Sequence, residues 1–116
     1  MKIIFDTNFL ISALKYKIRF FEELEGHELY IIDKTEKELE KLIKGGKAQD
    51  KQRAKIILAL INKKKIRKLK SKKEETVDDA LSRLNTYVIA TQDKELKTRI
   101  TGRKLIIRAK KKLEIR

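Results

Sequence analysis

Residues 2–11 read KIIFDTNFLI and join a strand-like segment to a helix-like one. Residues 3–5 are β-branched or aromatic, and this apolar run predicts a short buried strand. The run ends at Asp6, Thr7 and Asn8, polar residues that an apolar layer does not accommodate unpaired. Apolar residues then recur about one turn apart, as they do in a helix. A carboxylate therefore stands between a strand and a helix, where open α/β sheets place their ligands.

The charge of the chain is its most unusual property. The 116 residues include 31 Lys and Arg against 17 Asp and Glu, which gives a formal net charge of +14. Such an excess favours a polyanionic partner. Adaptation to a hot environment would explain many charged residues, because such proteins are rich in Lys and Glu, but it would not explain the imbalance of sign.

Length and residue usage limit the possible classes. A chain of 116 residues with no Pro and no Ser/Gly-rich linker is expected to form a single domain over residues 1–116. No apolar run approaches the roughly twenty residues of a membrane span, and no signal-peptide pattern is visible, so no membrane partner is expected. The absence of Cys excludes disulfides and thiolate metal sites and suits a cytoplasmic protein. His27 is the single histidine, which argues against a zinc site or a histidine-based triad.

Strand-like and helix-like segments alternate along the rest of the chain. Further strands are predicted at residues 28–32, 66–69, 87–91 and 105–107, the second of them a basic candidate for a sheet edge. Helices are predicted at residues 9–14, 16–24, 35–43, 48–62, 77–84 and 93–100. This alternation predicts an α/β fold, a three-layer α/β/α sandwich with a five-stranded, mainly parallel sheet.

Acidic residues follow each of the first four predicted strands. They are Asp6 after the first, Glu38 in the helix after the second, Asp78 and Asp79 after the third, and Asp93 after the fourth. In a parallel sheet these positions share the carboxyl edge, where carboxylates in one crevice would raise each other's pKa values. A divalent cation relieves that repulsion, and oxygen ligands without His or Cys suit Mg²⁺ or Mn²⁺. An acidic crevice on a basic body suits an enzyme that holds nucleic acid by its phosphates and cuts it with a metal.

Helix capping is the competing interpretation of the same acids. Thr35-x-x-Glu38 and Thr76-x-x-Asp79 both match a capping box or a close relative of it. Asp6 or Thr7 is placed to cap the first helix, and Asp93 is placed to cap the helix after the fourth strand. Taken singly, each acid favours capping; taken together, the set favours a functional site.

Four segments together resemble the PIN-domain ribonucleases, in the same order along the chain. They are IIFDTN at residues 3–8, ELEKL at 38–42, VDDAL at 77–81 and YVIATQDKELK at 87–97. The A-T-x-D-x-E-L-K block looks most like the archaeal and eukaryotic branch linked to ribosomal RNA processing. One departure is that the helix beginning near Val77 is about one turn shorter than family members usually show.

The resemblance implies an Mg²⁺- or Mn²⁺-dependent endonuclease that acts on single-stranded RNA, in this branch on segments of ribosomal RNA. It assigns catalytic and metal-binding roles to Asp6, Glu38, one of Asp78 and Asp79, and Asp93, with Asn8 and Thr91 as supporting polar groups. A homodimer and an additional protein partner are left open.

Only one of the adjacent aspartates is expected to point fully into the crevice, because neighbouring helix residues lie about 100° apart. Asp79 stands three residues after Thr76, where a capping-box acid turns back to the N-cap amide. Asp78 instead flanks the apolar stripe of its helix. We therefore expect Asp78 to point towards Asp6 and Asp93, with both aspartates kept as candidates.

Three basic clusters are candidate contacts for RNA phosphates. They contain Lys63, Lys64 and Lys65, then Lys72 and Lys73, then Lys110, Lys111 and Lys112. Lysine runs are more often solvated surface, and no aromatic residues interleave with these, so weak base stacking is expected.

Two other functions fit the same residues. One is a toxin ribonuclease held inactive by an antitoxin, which the A-T-x-D-x-E-L-K block and the basicity disfavour. The other is a non-catalytic RNA-binding subunit whose acids only cap helices, which the intact acid set disfavours. A response-regulator-like domain is a remoter alternative, since only one acid follows the first strand.

Overall fold

The computed structural model describes residues Met1 to Arg116, which form six strands and six helices. The strands are β1 (Lys2–Phe5), β2 (Glu28–Ile32), β3 (Arg67–Leu69), β4 (Val88–Ala90), β5 (Lys104–Arg108) and β6 (Lys112–Ile115). The helices are α1 (Thr7–Lys15), α2 (Phe20–Glu23), α3 (Asp33–Gly45), α4 (Ala48–Lys63), α5 (Val77–Arg83) and α6 (Lys94–Arg99). None of these helices is long and apolar enough to cross a membrane.

The strands form one sheet in the order β3-β2-β1-β4-β5-β6. Strands β1 to β5 are parallel to their neighbours, and β6 runs antiparallel to β5. The strand order reverses between β1 and β4, and in open α/β sheets such a switch point opens a crevice at the carboxyl edge. Asp6 follows β1 and Thr91 follows β4, so both residues stand at this point.

Helices cover both faces of the sheet because successive strand residues point to opposite sides. On one side, Ile3 and Phe5 of β1 pack with residues of α1, α2, α3 and α4. On the other side, Ile4 of β1 and Ile89 of β4 pack with residues of α5 and α6. The predicted three-layer α/β/α arrangement is confirmed.

The prediction of five strands was wrong, since the sheet has six. Ala109 and Lys110 both adopt positive φ, and the Lys111 amide donates to the Arg108 carbonyl at 3.0 Å, which turns the chain back. Strand β6 then pairs with β5 and packs Leu113 against the core. With so few apolar residues among lysines, this segment resembles a solvated basic tail in the sequence.

The second predicted helix, over residues 16–24, is also shorter than expected. Tyr16 is the C-cap of α1, and Lys17 adopts a left-handed φ of 57°, which no helix continues. Helix α2 therefore forms only over Phe20–Glu23. Apolar periodicity alone does not reveal this break.

Candidate active site

Asp6 lies at the centre of the site, with 6% of its surface exposed. Its amide extends the sheet by donating to the Ala90 carbonyl at 2.8 Å. Its Oδ1 accepts a hydrogen bond from the Thr7 amide at 2.9 Å and caps α1, as the capping interpretation predicts. Its Oδ2 accepts from the Thr91 hydroxyl, also at 2.9 Å. Capping therefore uses one carboxylate oxygen and leaves the other at the switch point.

The surroundings of Asp6 disfavour its charged form. Burial raises the pKa of Asp6 from its ordinary 3.8 to about 6, although the Thr91 hydrogen bond works in the opposite direction. The carboxylates of Asp78 and Glu38 also contribute to the increase. The negative charge of Asp6 is thus only partly compensated by the protein.

Glu38 is connected to Asp6 through Thr7, whose hydroxyl donates to Glu38 Oε1 at 3.1 Å. Helix α3 begins at Asp33, so Thr35 lies inside the helix and the predicted capping box with Glu38 is absent. Although Glu38 is exposed as a whole residue, partial burial of its carboxylate raises its pKa, and the charge of Asp78 adds to this increase. The side chain of Glu38 therefore contacts Thr7, next to Asp6, rather than the start of its helix.

The adjacent aspartates of α5 have different partners. Asp79 completes a capping box with Thr76, as predicted, and its Oδ1 lies 2.8 Å from Nη2 of Arg99. The Arg99 hydrogen bond is the main reason that the pKa of Asp79 is lowered. Asp78 is half-buried; burial and then the charge of Asp93 raise its pKa. Asp78 is thus the member of the pair that interacts electrostatically with the other site acids.

Thr91 connects the two aspartates that follow β1 and β4. Its hydroxyl donates to Asp6 and accepts from the Asp93 amide at 3.1 Å. Oδ1 of Asp93 accepts from the amides of Glu95 and Leu96 at 2.9 and 3.1 Å, so Asp93 caps α6 as the capping interpretation predicts.

Two residues whose contacts at this crevice were not predicted from the sequence help to position it. One is Thr7, the bridge between two acids, for which the only signal is a hydroxyl directly after a strand-ending aspartate. The other is Gln92, whose Oε1 accepts from the Ile107 amide at 2.7 Å and ties the loop after β4 to β5. The backbone amide of Gln92 donates to Asn8 Oδ1 at 3.3 Å, so Asn8 also holds this loop in place.

We refer to Asp6, Glu38, Asp78 and Asp93 together as the acidic crevice. No three His, Cys, Asp or Glu side chains are arranged closely enough to hold a metal ion as they stand. The donor set nevertheless fits Mg²⁺ or Mn²⁺ chemically, because these ions take oxygen ligands. Three of the four carboxylates have raised pKa values, which indicates negative charge that a cation would offset.

The predicted basic clusters lie at different edges of the sheet. Lys72 and Lys73 follow the carboxyl end of β3, and Lys110, Lys111 and Lys112 follow the carboxyl end of β5, so both clusters share an edge with Asp6. Lys63, Lys64 and Lys65 precede the amino end of β3, on the opposite edge. The last group is therefore remote from the acidic crevice.

Comparison with known proteins agrees with this architecture. A family model described as "PIN like domain" matches residues 3–111. The chain belongs to this family. It is 32% identical to Ribonuclease VapC4 of Methanocaldococcus jannaschii over 125 residues, which cover 98% of this chain and 95% of that protein.

A solved structure described as the PIN domain endonuclease Utp24 superposes with a TM-score of 0.79 at 29% identity. The match covers 98% of this chain and 90% of that one. The PIN-domain resemblance identified from the sequence motifs is thereby confirmed, together with the fold that it implies.

Proposed function

We propose that this PIN-domain protein is an endoribonuclease that hydrolyses phosphodiester bonds of single-stranded RNA with the help of Mg²⁺ or Mn²⁺. The observation that carries the proposal is the acidic crevice at the switch point, with a buried Asp6 whose charge is only partly compensated. Similarity to a ribonuclease and to an endonuclease supports the same reaction class.

The residues of the crevice would have two roles, holding the cation and orienting the attacking water. Asp6, Asp78 and Asp93 would hold the cation, with Thr91 keeping the carboxylate of Asp6 in place. Glu38, fixed by Thr7, would either share in holding the cation or orient the attacking water. When bound, a divalent cation supplies Lewis acidity that eases deprotonation of water and offsets charge on the phosphoryl group.

The test is cleavage of a labelled single-stranded RNA by metal-free protein to which Mn²⁺, Mg²⁺ or EDTA is added. We expect cleavage with a metal ion, none with EDTA, and a loss of at least about a hundredfold in Asp6→Asn. Asp79→Asn carries the same charge change on the neighbouring surface and should retain activity. Full Mn²⁺-dependent activity in Asp6→Asn would contradict the proposal, and absence of any cleavage with retained RNA binding would favour a non-catalytic subunit.

We further propose ribosomal RNA as the substrate, on the strength of the A-T-x-D-x-E-L-K block at residues 90–97. Cleavage of ribosomal RNA fragments should then exceed cleavage of unrelated single strands of equal length. Equal rates on both would contradict this assignment.

The toxin function remains the second candidate, and the similarity to Ribonuclease VapC4 is the observation that keeps it. Expression of the chain alone in cells separates the two. Growth arrest that requires Asp6 and that the product of a neighbouring gene reverses would favour the toxin.

A further inference from the structure

A groove of about 430 Å³ lies between α3 and α5, beside the acidic crevice. We call it the α3–α5 groove; its polar lining consists of Lys34, Lys37, Glu38 and Lys41 on α3, with Thr76 and Asp78 at the start of α5. Because Glu38 and Asp78 belong to both, the groove opens directly onto the crevice.

The lysines of the groove share one face of α3, since they are spaced three and four residues apart. Lys34 donates from Nζ to the Glu75 carbonyl and so has a structural partner. Lys37 and Lys41 are exposed and form no salt bridge. Lys41 lowers the pKa of Glu38 through its charge without pairing with it. Two lysines without an ion-pair partner thus line the same groove as Glu38 and Asp78.

The loop that leads into Thr76 at the groove is held in place by residues of α3 and α5. Asp33 of α3 accepts a hydrogen bond from the Ser71 amide at 3.1 Å. Glu75 accepts from the Lys72 amide at 3.0 Å and forms a two-point ion pair with Arg83 at 2.8 and 2.9 Å. The loop that carries Lys72 and Lys73 is therefore fixed between the first turn of α3 and the α5 residue Arg83.

The lining of the groove indicates the chemistry of its ligand. Val77 is its single apolar residue, so it offers no pocket for the aromatic or aliphatic anchors of a protein partner. It holds no aromatic ring, so bases have nothing to stack on. Flexible lysine side chains that converge on a polar groove suit phosphate groups.

We propose that the α3–α5 groove binds the phosphodiester backbone of the substrate strand beside the cleavage point, with Lys37 and Lys41 contacting phosphates next to the reacting one. The proposal rests on the proposed nuclease function for its substrate and adds the path of the strand. Cations along the groove hold the flanking phosphates while the acidic crevice takes the reacting group. None of the three lysine clusters predicted from the sequence includes these two residues.

The test compares two double variants with the same loss of charge. Lys37→Gln/Lys41→Gln alters the groove, and Lys2→Gln/Lys55→Gln alters exposed lysines at the amino end of β1 and on α4. Binding of a labelled single-stranded RNA is measured by fluorescence anisotropy in EDTA, where no cleavage interferes, over a series of salt concentrations.

We expect the groove variant to bind about tenfold more weakly or worse at 0.1 M salt, with a slope of log affinity against log salt that is lower by about 1.4, or roughly 0.7 per lost phosphate contact. The control variant should change affinity by less than about twofold, because steering by net charge is weak at this ionic strength. In cleavage assays the groove variant should raise KM more than it lowers kcat.

Equal affinities and slopes for wild type and groove variant would overturn the proposal, as would an equal loss in the control variant. The proposal would also be overturned if the groove variant lost as much affinity for a mononucleotide as for the RNA strand, because the groove would then be a site for a free phosphate ester. These outcomes leave the Asp6-dependent cleavage test unaffected, so the two proposals fail separately.

Discussion

The starts of α3 and α5 carry the same Thr-x-x-acid pattern but fold differently. In α5, Thr76 is the N-cap and Asp79 completes the capping box. In α3, Asp33 directly follows β2 and its carboxylate accepts the amides of Lys34 and Ser71, so the helix begins two residues before Thr35. The end of the preceding strand, rather than the local pattern, thus decides whether an acid is used in a cap.

The acids of the two patterns, Glu38 in α3 and Asp79 in α5, also have pKa values that shift in opposite directions. Burial raises the pKa of Glu38, whereas the hydrogen bond from Arg99 lowers the pKa of Asp79. A carboxylate that is already compensated by a guanidinium gains little from a metal ion, but one whose charge is costly gains most. This difference assigns Glu38 to the acidic crevice and Asp79 to the helix cap.

The largest effect is expected when Glu38 is replaced. Glu38→Gln keeps the shape of the side chain but removes its charge, so Mn²⁺-dependent RNA cleavage should fall by about a hundredfold or more. Glu40→Gln makes the same change on the exposed surface of α3 and should leave the rate near that of wild type. Equal rates for the two variants would remove Glu38 from the site.

The stability of the metal-free protein should depend on pH through Asp6. Because its folded pKa of about 6 lies above its ordinary 3.8, the folded state binds the proton more tightly, and unfolding free energy falls as pH rises from about 4 to 6. Asp6→Asn removes this loss and should be more stable than wild type at pH 7, by at most about 3 kcal/mol. At pH 4 the difference should be smaller.

Urea denaturation of wild type and Asp6→Asn at several pH values measures this difference. Asp79→Asn should instead be less stable than wild type at neutral pH. The pKa of Asp79 lies below 3.8, so its charged form stabilises the fold at neutral pH, and this stabilisation is lost as pH falls through the folded pKa. A pH-independent difference between wild type and Asp6→Asn would show that Asp6 acts only as a cap.

The smallest effects concern the two threonines of the shared pattern. Thr76→Ala removes a working N-cap and should destabilise the protein by about 1 kcal/mol. Thr35 is fully buried and its hydroxyl has no hydrogen-bond partner, so Thr35→Val should be neutral or stabilise by up to about 1 kcal/mol. Equal destabilisation by both substitutions, measured by urea denaturation, would mean that Thr35 is part of a cap after all.

Strong local patterns made much of the fold predictable from the sequence. The buried strands around residues 3–5 and 87–91 are apolar and short, and the acids after them lie at the carboxyl edge of the sheet as expected. The capping box at Thr76 identified the role of Asp79, because it depends on residues only three positions apart.

Features that depend on distant contacts were not predictable in the same way. The bridge from Thr7 to Glu38 spans 31 positions, and no local pattern encodes it. Strand β6 depends on a turn with positive φ at Ala109 and Lys110, neither of which is a glycine. In the sequence, Lys37 and Lys41 resemble ordinary solvated lysines, because the groove that they line forms only when α5 packs opposite α3.

We infer that the acidic crevice binds a divalent cation through Asp78 rather than Asp79. Calorimetric titration of Mn²⁺ into the metal-free protein tests it with the two matched variants Asp78→Asn and Asp79→Asn. We expect Asp78→Asn to lose about tenfold or more in affinity, as when a group that shapes a metal site is removed, and Asp79→Asn to bind like wild type. Loss of Mn²⁺ binding in Asp79→Asn with full binding in Asp78→Asn would contradict this assignment of Asp78.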